Sequence, residues 1–335
     1  MNDPLLDGFD MDGEYVHWPR RLTIMTACAL FLFATMGVTL IRLISALGMV
    51  IPALRSAQLS QVLSLLVTLG VMGVPVLVYN SRHPGVDATL RLRLPSTLAV
   101  AIAIALGVLG APISSHLGTL WSTALQQMGA RVELAQTAVP TNYITLIGAM
   151  FSMALVPAVC EELLFRGAIL GAWERRGTKR AWVLSSVLFA LIHGSLLGLP
   201  GQLLMGFAIG YLVINSDSIL TGMIYHFVHN VTLILMSMVP QMQLDASLSG
   251  DIYHAIGGAA GVTLYVIRLL LMLGAFALLL VAASSEREKL GRPFERPGQL
   301  DREPLGWREI TVLSAGIVTC LALLLINILT TLRIM

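Results

Sequence analysis

Long apolar runs recur along the whole sequence, and they constrain the fold more than any other feature. Of the 335 residues, 56% are hydrophobic and only 12% are charged, whereas a soluble domain is about 25% charged. A helix that spans a bilayer needs about 20 predominantly apolar residues. Runs near that length lie at 22–41, 59–80, 97–118, 143–170, 182–198, 201–214, 218–238, 258–283 and 311–331. The sequence therefore predicts an all-α polytopic membrane helix bundle with about eight to nine transmembrane helices.

The run 201–214 is the short one, and Pro200 and Gly201 before it indicate a tight reversal of the chain. It is either a half-helix inside the bundle or a full span. The predicted parts of the chain are then a tail 1–21, transmembrane helices 22–142, a central core 143–238, and C-terminal helices 239–335 with a solvated linker 284–309.

Lys and Arg residues are concentrated in alternate connecting segments, and cytoplasmic segments carry the excess of these residues. With the N-terminus in the cytoplasm, most of them fall on the cytoplasmic side, which favours nine spans and an outside C-terminus. The first residues are acidic and polar and contain no apolar stretch, so we expect no cleavable signal peptide. We expect an integral protein of a bacterial inner membrane, with the lipid bilayer as a partner and no nucleic acid.

Three ionisable residues interrupt the apolar run 143–170, namely Glu161, Glu162 and Arg166. A charge near the bilayer centre costs about 2.5–3.5 kcal/mol on insertion scales, so such residues are rare and mostly functional. Glu162 and Arg166 are four residues apart with the acid first, which predicts an ion pair on one helix face. Glu161 lies about 100° around the helix and has no partner in its own segment. It is therefore the candidate general base.

Two other helices place polar side chains at similar depth. Phe189 and His193 share a face of the fifth run, and His226 and Asn230 share a face of the seventh. Their distances from the helix ends place them in one layer with Glu161, which predicts a polar intramembrane cavity. His229 points elsewhere on its helix and is either a supporting partner or a neighbour of Tyr225.

These residue types suit hydrolysis of an amide bond. A carboxylate and an imidazole can take a proton from water and later return it to a leaving group. An Asn amide and a second imidazole can stabilise an oxyanion. This mechanism requires no cofactor. A zinc version stays open, since Glu161, His193 and His226 form a possible ligand set with a free fourth position, although an H-E-x-x-H helix is absent.

The three motifs resemble those of a known family. They are Glu161-Glu162-x-x-x-Arg166, Phe189-x-x-x-His193 and His226-x-x-x-Asn230. In this order they resemble the CAAX protease and bacteriocin-processing enzyme (CPBP, or ABI) family of intramembrane glutamate endopeptidases, which includes the prenyl-protein-processing CAAX endopeptidase. The resemblance covers 143–238.

The resemblance implies a role for each matching residue. Glu161 would activate the water with His193 as its partner, and His226 and Asn230 would bind the water and stabilise the oxyanion. The supporting residues would be Glu162, Arg166 and Phe189. The expected substrate is a membrane-associated or lipidated peptide or protein.

Three rival functions remain for the same residues. One is the zinc metalloprotease, one is a non-catalytic immunity or scaffold protein that keeps the fold, and one is a transporter that uses Glu and His as a proton relay. Arg42 and Arg268 also lie at or within predicted spans, and the sequence assigns neither of them a partner.

Overall fold

A computed structural model of the chain describes residues 7–9, 15–17, 22–47, 51, 57–83, 90–128, 131–132, 139–239, 257–291 and 305–333. The helices are α1 Ile24–Leu47, α2 57–82, α3 Thr97–Gln127, α4 Tyr143–Arg176, α5 Thr178–Ile192, α6 Leu199–Ser216, α7 Ile219–Ser237, α8 Gly258–Lys289 and α9 Trp307–Thr331. Two short antiparallel pairs join β1 Asp7–Phe9 to β2 Tyr15–His17, and β3 Arg131–Val132 to β4 Leu332–Arg333. Eight helices in these residues are long and apolar enough to span a bilayer. The predicted all-α polytopic membrane bundle is confirmed.

Helix α5 differs from its prediction. The apolar run predicted a span over 182–198, but the helix covers Thr178–Ile192, has 15 residues and is not among the eight candidate spans. At about 1.5 Å per residue it is about 22 Å long, short of the ~30 Å hydrocarbon core. Gly194, with a φ of +51°, follows the end of the helix and takes the left-handed conformation typical of helix ends. His193 therefore lies at the end of α5 and not inside it.

Helix α6 corresponds to the short run 201–214, for which a half-helix and a full span were both open. It begins earlier and ends later, at Leu199 and Ser216, with Pro200 in its first turn. Its 18 residues make it a candidate span, and it is the most buried of the eight. It packs against α3, α4, α5, α7 and α8. The loop 193–198, which connects α5 to α6, stays at membrane depth because α5 is short.

Two contacts define which helix ends share a side of the bundle. The backbone pairing of β3 with β4 places the end of α3 beside the C-terminal end of α9. At the other side, Arg91 binds Glu174 in the last turn of α4 and Asp217 after α6, at 2.6 Å and 3.1 Å. Burial disfavours a charge on Arg91, yet the two carboxylates hold its pKa above the ordinary value. The start of α3 thus lies on the same side as the C-terminal ends of α4 and α6, and the end of α3 lies on the same side as the C-terminal end of α9.

The linker predicted at 284–309 is shorter than expected. Helix α8 continues to Lys289 and α9 already begins at Trp307, while residues 292–304 of the predicted linker lie outside the described ranges. The extension of α8 is stabilised by an ion pair between Glu286 and Lys289 at 2.8 Å, and Ser96 at the start of α3 donates a hydrogen bond to Glu286. Charged residues in a polar stretch therefore continue the helix beyond its apolar part.

Candidate active site

Helix α4 changes its hydrogen-bonding pattern on both sides of the two glutamates. It begins with a capping box in which Asn142 and Thr145 bind each other's backbone N–H. The π-helical segments Met150–Leu155 and Leu163–Leu170 then flank the α-helical segment Val156–Glu162. Such widened turns are frequent at functional sites. They lie on both sides of Glu161 and Glu162.

We call Glu162, Arg166 and His226 the closed cluster. Arg166 Nη1 donates to Glu162 Oε1 at 3.1 Å, so the ion pair that the spacing predicts is present. The same oxygen lies 2.9 Å from His226 Nδ1 of helix α7. Arg166 Nη2 also donates to the carbonyl oxygen of Gly206 on α6, at 2.9 Å. All three side chains are buried. The closed cluster thus ties α4, α6 and α7 together.

Phe189 of α5 lies between the polar residues. The guanidinium of Arg166 lies 4.5 Å from its ring centroid, within the range of a cation–π contact. The ring meets His226 and His193 edge to face, with centroids 5.8 Å and 5.0 Å apart. Phe189 therefore separates the two histidines and contacts both, which gives the first residue of its motif a packing role.

We call Glu161 and His193 the open pair. His193 Nε2 and Glu161 Oε2 are 3.8 Å apart, and the two side chains are 30% and 12% exposed. Among the described residues, Glu161 Oε2 has no hydrogen-bond partner. His193 Nδ1 lies 2.7 Å from the carbonyl oxygen of Phe189, so Nδ1 carries the hydrogen of this bond. A separation of 3.8 Å is too long for a direct hydrogen bond and is one that a shared water can bridge.

Asn230 makes a contact with α4 that the sequence analysis did not predict. Its Nδ2 donates to the carbonyl oxygen of Met153 at 3.0 Å, about two turns before Glu161 on α4. Pro157 explains this contact, because it has no N–H to donate to the carbonyl four residues earlier. The Asn230 amide occupies that carbonyl. A signal was available in the sequence, since any proline inside a membrane helix leaves such an acceptor to be satisfied.

His229 belongs to the far side of α7. Its ring stacks on Tyr225 with centroids 5.8 Å apart, and both residues are buried next to Gly110 of α3. Of the two interpretations left open by the sequence, the position matches a neighbour of Tyr225. Arg268 lies on the exposed face of α8.

Three further contacts to the loop 193–198 could not be inferred from motifs. Trp121 Nε1 of α3 donates to the carbonyl oxygen of Leu196 at 3.1 Å, and Asn327 Oδ1 of α9 accepts from the Leu196 N–H at 2.9 Å. Arg42 of α1 donates to the carbonyl oxygen of His193. Irregular backbone at membrane depth is tolerated only when its polar groups are satisfied in this way.

The possible zinc ligands do not form a metal-binding group. In the part of the chain that the structure describes, no three His, Cys, Asp or Glu side chains converge on a point that could hold an ion. Glu161 and His193 face each other, whereas Nδ1 of His226 is bound to Glu162. We therefore derive no catalytic step through a metal.

Comparison with known proteins places the same segment in context. The family model described as type II CAAX prenyl endopeptidase Rce1-like matches residues 143–232. A Bacillus subtilis (strain 168) protein named "Putative membrane peptidase YdiL" is 28% identical over 106 residues, which cover 31% of this chain and 43% of that relative. The match thus spans less than half of the relative's length. No solved structure matches the chain. The matched segment contains both the closed cluster and the open pair.

Proposed function

We propose that the chain is an intramembrane endopeptidase that hydrolyses a peptide bond with a water activated by Glu161 and His193. The match of residues 143–232 to the CAAX prenyl endopeptidase family model supports this proposal. The observation that carries the mechanism is the 3.8 Å separation between Glu161 Oε2 and His193 Nε2. Neither atom donates a hydrogen to the other when Glu161 is ionised and His193 is neutral, because the ring hydrogen of His193 is held by the carbonyl oxygen of Phe189.

Two acceptors at this separation suit one water that donates both of its hydrogens. The lone pairs of the water then point away from Glu161 and His193, toward the partly exposed face of the open pair. A peptide carbonyl can approach from that face. Its oxygen attacks the carbonyl carbon while one proton moves to Glu161. The same proton is later delivered to the leaving nitrogen, so Glu161 acts first as base and then as acid.

The closed cluster supports this step by holding Glu161 on a rigid helix. Nδ1 of His226 donates to Glu162, so Nε2 of the neutral ring accepts a hydrogen bond from the water. Nε2 can donate to the oxyanion only when the ring carries a hydrogen on both nitrogens. Asn230 keeps one amide hydrogen besides the one given to Met153. The assignment of His226 and Asn230 to the oxyanion is part of the proposal.

The substrate that fits this site is a peptide or protein held at the membrane. The site lies inside a bundle with eight candidate membrane helices, and the outer faces of the helices are rich in exposed apolar side chains. A lipidated or membrane-anchored peptide reaches such a site without leaving the bilayer. The Lys and Arg distribution supports a cytoplasmic N-terminus, and we propose the inner membrane of a bacterium as the location.

The test uses the full chain purified in detergent and a library of fluorogenic peptides that carry one lipidated cysteine. Cleavage by the unchanged protein is compared with Glu161→Gln and His193→Gln, each with and without a strong chelator. Cys160→Ala is the matched control, because this buried thiol is next to Glu161 and packs against Gly73. We expect cleavage in the unchanged protein and in Cys160→Ala, and none in the other two.

The outcomes separate the rival functions. Cleavage that survives the chelator supports the glutamate mechanism, while a loss that added zinc reverses shows that a metal belongs in the site. If no library peptide is cleaved and a deletion phenotype in cells is restored equally well by Glu161→Gln, the protein is an immunity or scaffold protein and not a protease.

A further inference from the structure

Arg42 places a cation beside the open pair from outside the segment that matches the family model. It lies on α1, five residues before the end of that helix at Leu47, and its side chain is half-buried. The neighbouring Leu40 and Leu43 are exposed to the surroundings of the bundle. The residue is therefore a charged group on an apolar helix, next to the partly exposed His193.

The guanidinium of Arg42 packs on the backbone just after the catalytic candidate His193. It donates a hydrogen bond to the carbonyl oxygen of His193. A Cβ placed on Gly194 would lie 3.5 Å from Arg42 Nη2 and 3.6 Å from its Cζ. These are ordinary van der Waals distances, so the guanidinium lies directly beside this peptide unit.

Among the described residues, this is the hydrogen bond that Arg42 makes, and a guanidinium has five N–H donors. Among the described residues, no carboxylate forms an ion pair with Arg42. The other two cations near the helix bundle's polar groups differ in this respect, since Arg166 is paired with Glu162 and Arg91 with Glu174 and Asp217. A charge within an apolar span is costly unless it is neutralised. Arg42 is thus a cation beside His193 for which the described residues provide no counter-ion.

We propose that Arg42 binds a carboxylate of the peptide substrate close to the scissile bond and thereby sets substrate specificity. This inference rests on the proposed function of the site. A planar guanidinium can hold a carboxylate with two parallel hydrogen bonds, which positions a peptide as well as neutralising it. Binding at the His193 carbonyl places that carboxylate within a few residues of the bond that the open pair attacks. Arg42 is a binding residue and takes no part in proton transfer.

A peptide offers such a carboxylate from two sources, the C-terminus and an acidic side chain. The experiment therefore takes a library peptide that the unchanged protein cleaves and prepares four forms of it. They combine a free or an amidated C-terminus with an acidic residue or its amide counterpart beside the scissile bond. The readout is the kcat/KM of each carboxylate form divided by the kcat/KM of its amide form. The kcat and KM values are also compared separately. The variants are Arg42→Gln and Arg42→Lys, with Arg268→Gln as the control for loss of a membrane-level arginine.

We expect the unchanged protein and Arg268→Gln to prefer one carboxylate form by about tenfold or more, mainly through KM. Arg42→Gln brings the ratio close to one. Arg42→Lys retains part of the preference because lysine keeps the positive charge, but it cannot form the two parallel hydrogen bonds of a guanidinium. The form whose amidation removes the preference identifies the source of the carboxylate.

Two results overturn the inference and leave the proposed function intact. One is equal cleavage of all four forms by the unchanged protein. The other is an Arg42→Gln variant that cleaves every form more slowly by a common factor and keeps the ratio, because this shows that Arg42 only supports the backbone of His193. The proposed function itself fails if the unchanged protein cleaves no peptide of the library and Glu161→Gln restores the deletion phenotype in cells as well as the unchanged protein does.

Discussion

The closed cluster and the open pair share helix α4 and adjacent glutamates, yet they differ in how their atoms are paired. Glu162 receives hydrogen bonds from Arg166 and His226 and is fully buried, whereas Glu161 faces His193 across 3.8 Å and is partly exposed. A paired, buried carboxylate contributes to stability only while both partners are present. An unpaired carboxylate next to an imidazole contributes little to stability and is available for chemistry. The contrast separates a structural glutamate from a reactive one.

The largest expected effect is on the open pair. Glu161→Gln removes the proton acceptor, so kcat/KM on a cleaved peptide falls by about 10²- to 10⁴-fold, the usual contribution of a general base. The thermal unfolding temperature in detergent does not fall, because no hydrogen bond to Glu161 is lost among the described residues. A variant with full activity would remove Glu161 from the mechanism.

The closed cluster should respond in the opposite way. Arg166→Gln leaves the Glu162 carboxylate buried without its cation and lowers the free energy of unfolding by about 3–5 kcal/mol. Replacing both residues by methionine recovers much of that loss, because no buried charge is left behind. Unfolding by denaturing detergent in mixed micelles measures both. If the double variant loses as much stability as the two single variants together, Glu162 and Arg166 act independently.

A second buried ion cluster tests whether the loss of a buried cation destabilises the fold outside the site as well. Arg91→Met removes the hydrogen bonds to Glu174 and Asp217 and should destabilise the fold by about 1.5–3 kcal/mol. Cleavage per folded molecule stays unchanged, because this cluster lies at the end of the bundle and not at the open pair. The exposed Arg93, which also pairs with Asp217, is the control, and Arg93→Met should have a much smaller effect.

The smallest effect concerns the carbonyl left free by Pro157. Asn230→Leu leaves the Met153 carbonyl oxygen without its donor and costs about 1 kcal/mol of stability. Pro157→Ala restores an N–H four residues after Met153, so the double variant should regain stability. If Asn230 also serves the oxyanion, the double variant stays inactive. Recovery of both stability and cleavage would make Asn230 purely structural.

Much of the fold follows from the sequence because a membrane helix satisfies its own backbone. The apolar runs correctly predict the nine long helices of the described residues, eight of which are candidate spans. The errors lie at helix ends. Gly194 ends α5 earlier than hydropathy indicates, and the charged residues up to Lys289 carry α8 further. Hydropathy measures how apolar a segment is, and helix ends depend instead on local backbone geometry and capping.

The site could be predicted in part. The spacing within α4 correctly predicts the Glu162–Arg166 pair, and the motifs select Glu161 and His193, which the structure brings together. The position of Asn230 was not predicted, since it depends on a carbonyl of another helix. The roles of His226 and Asn230 in catalysis remain predictions.

By itself the sequence determined which segments are helices and which side chains share a helix face, because the rise and rotation per residue are nearly constant. It thereby determined that Glu162 has a partner within α4 and that Glu161 has none. Only the tertiary structure decided that His226 joins Glu162, that His193 faces Glu161, and that Arg42 reaches the His193 carbonyl. These contacts depend on how each helix is rotated and where it ends relative to its neighbours, and the packing of side chains across the bundle sets both.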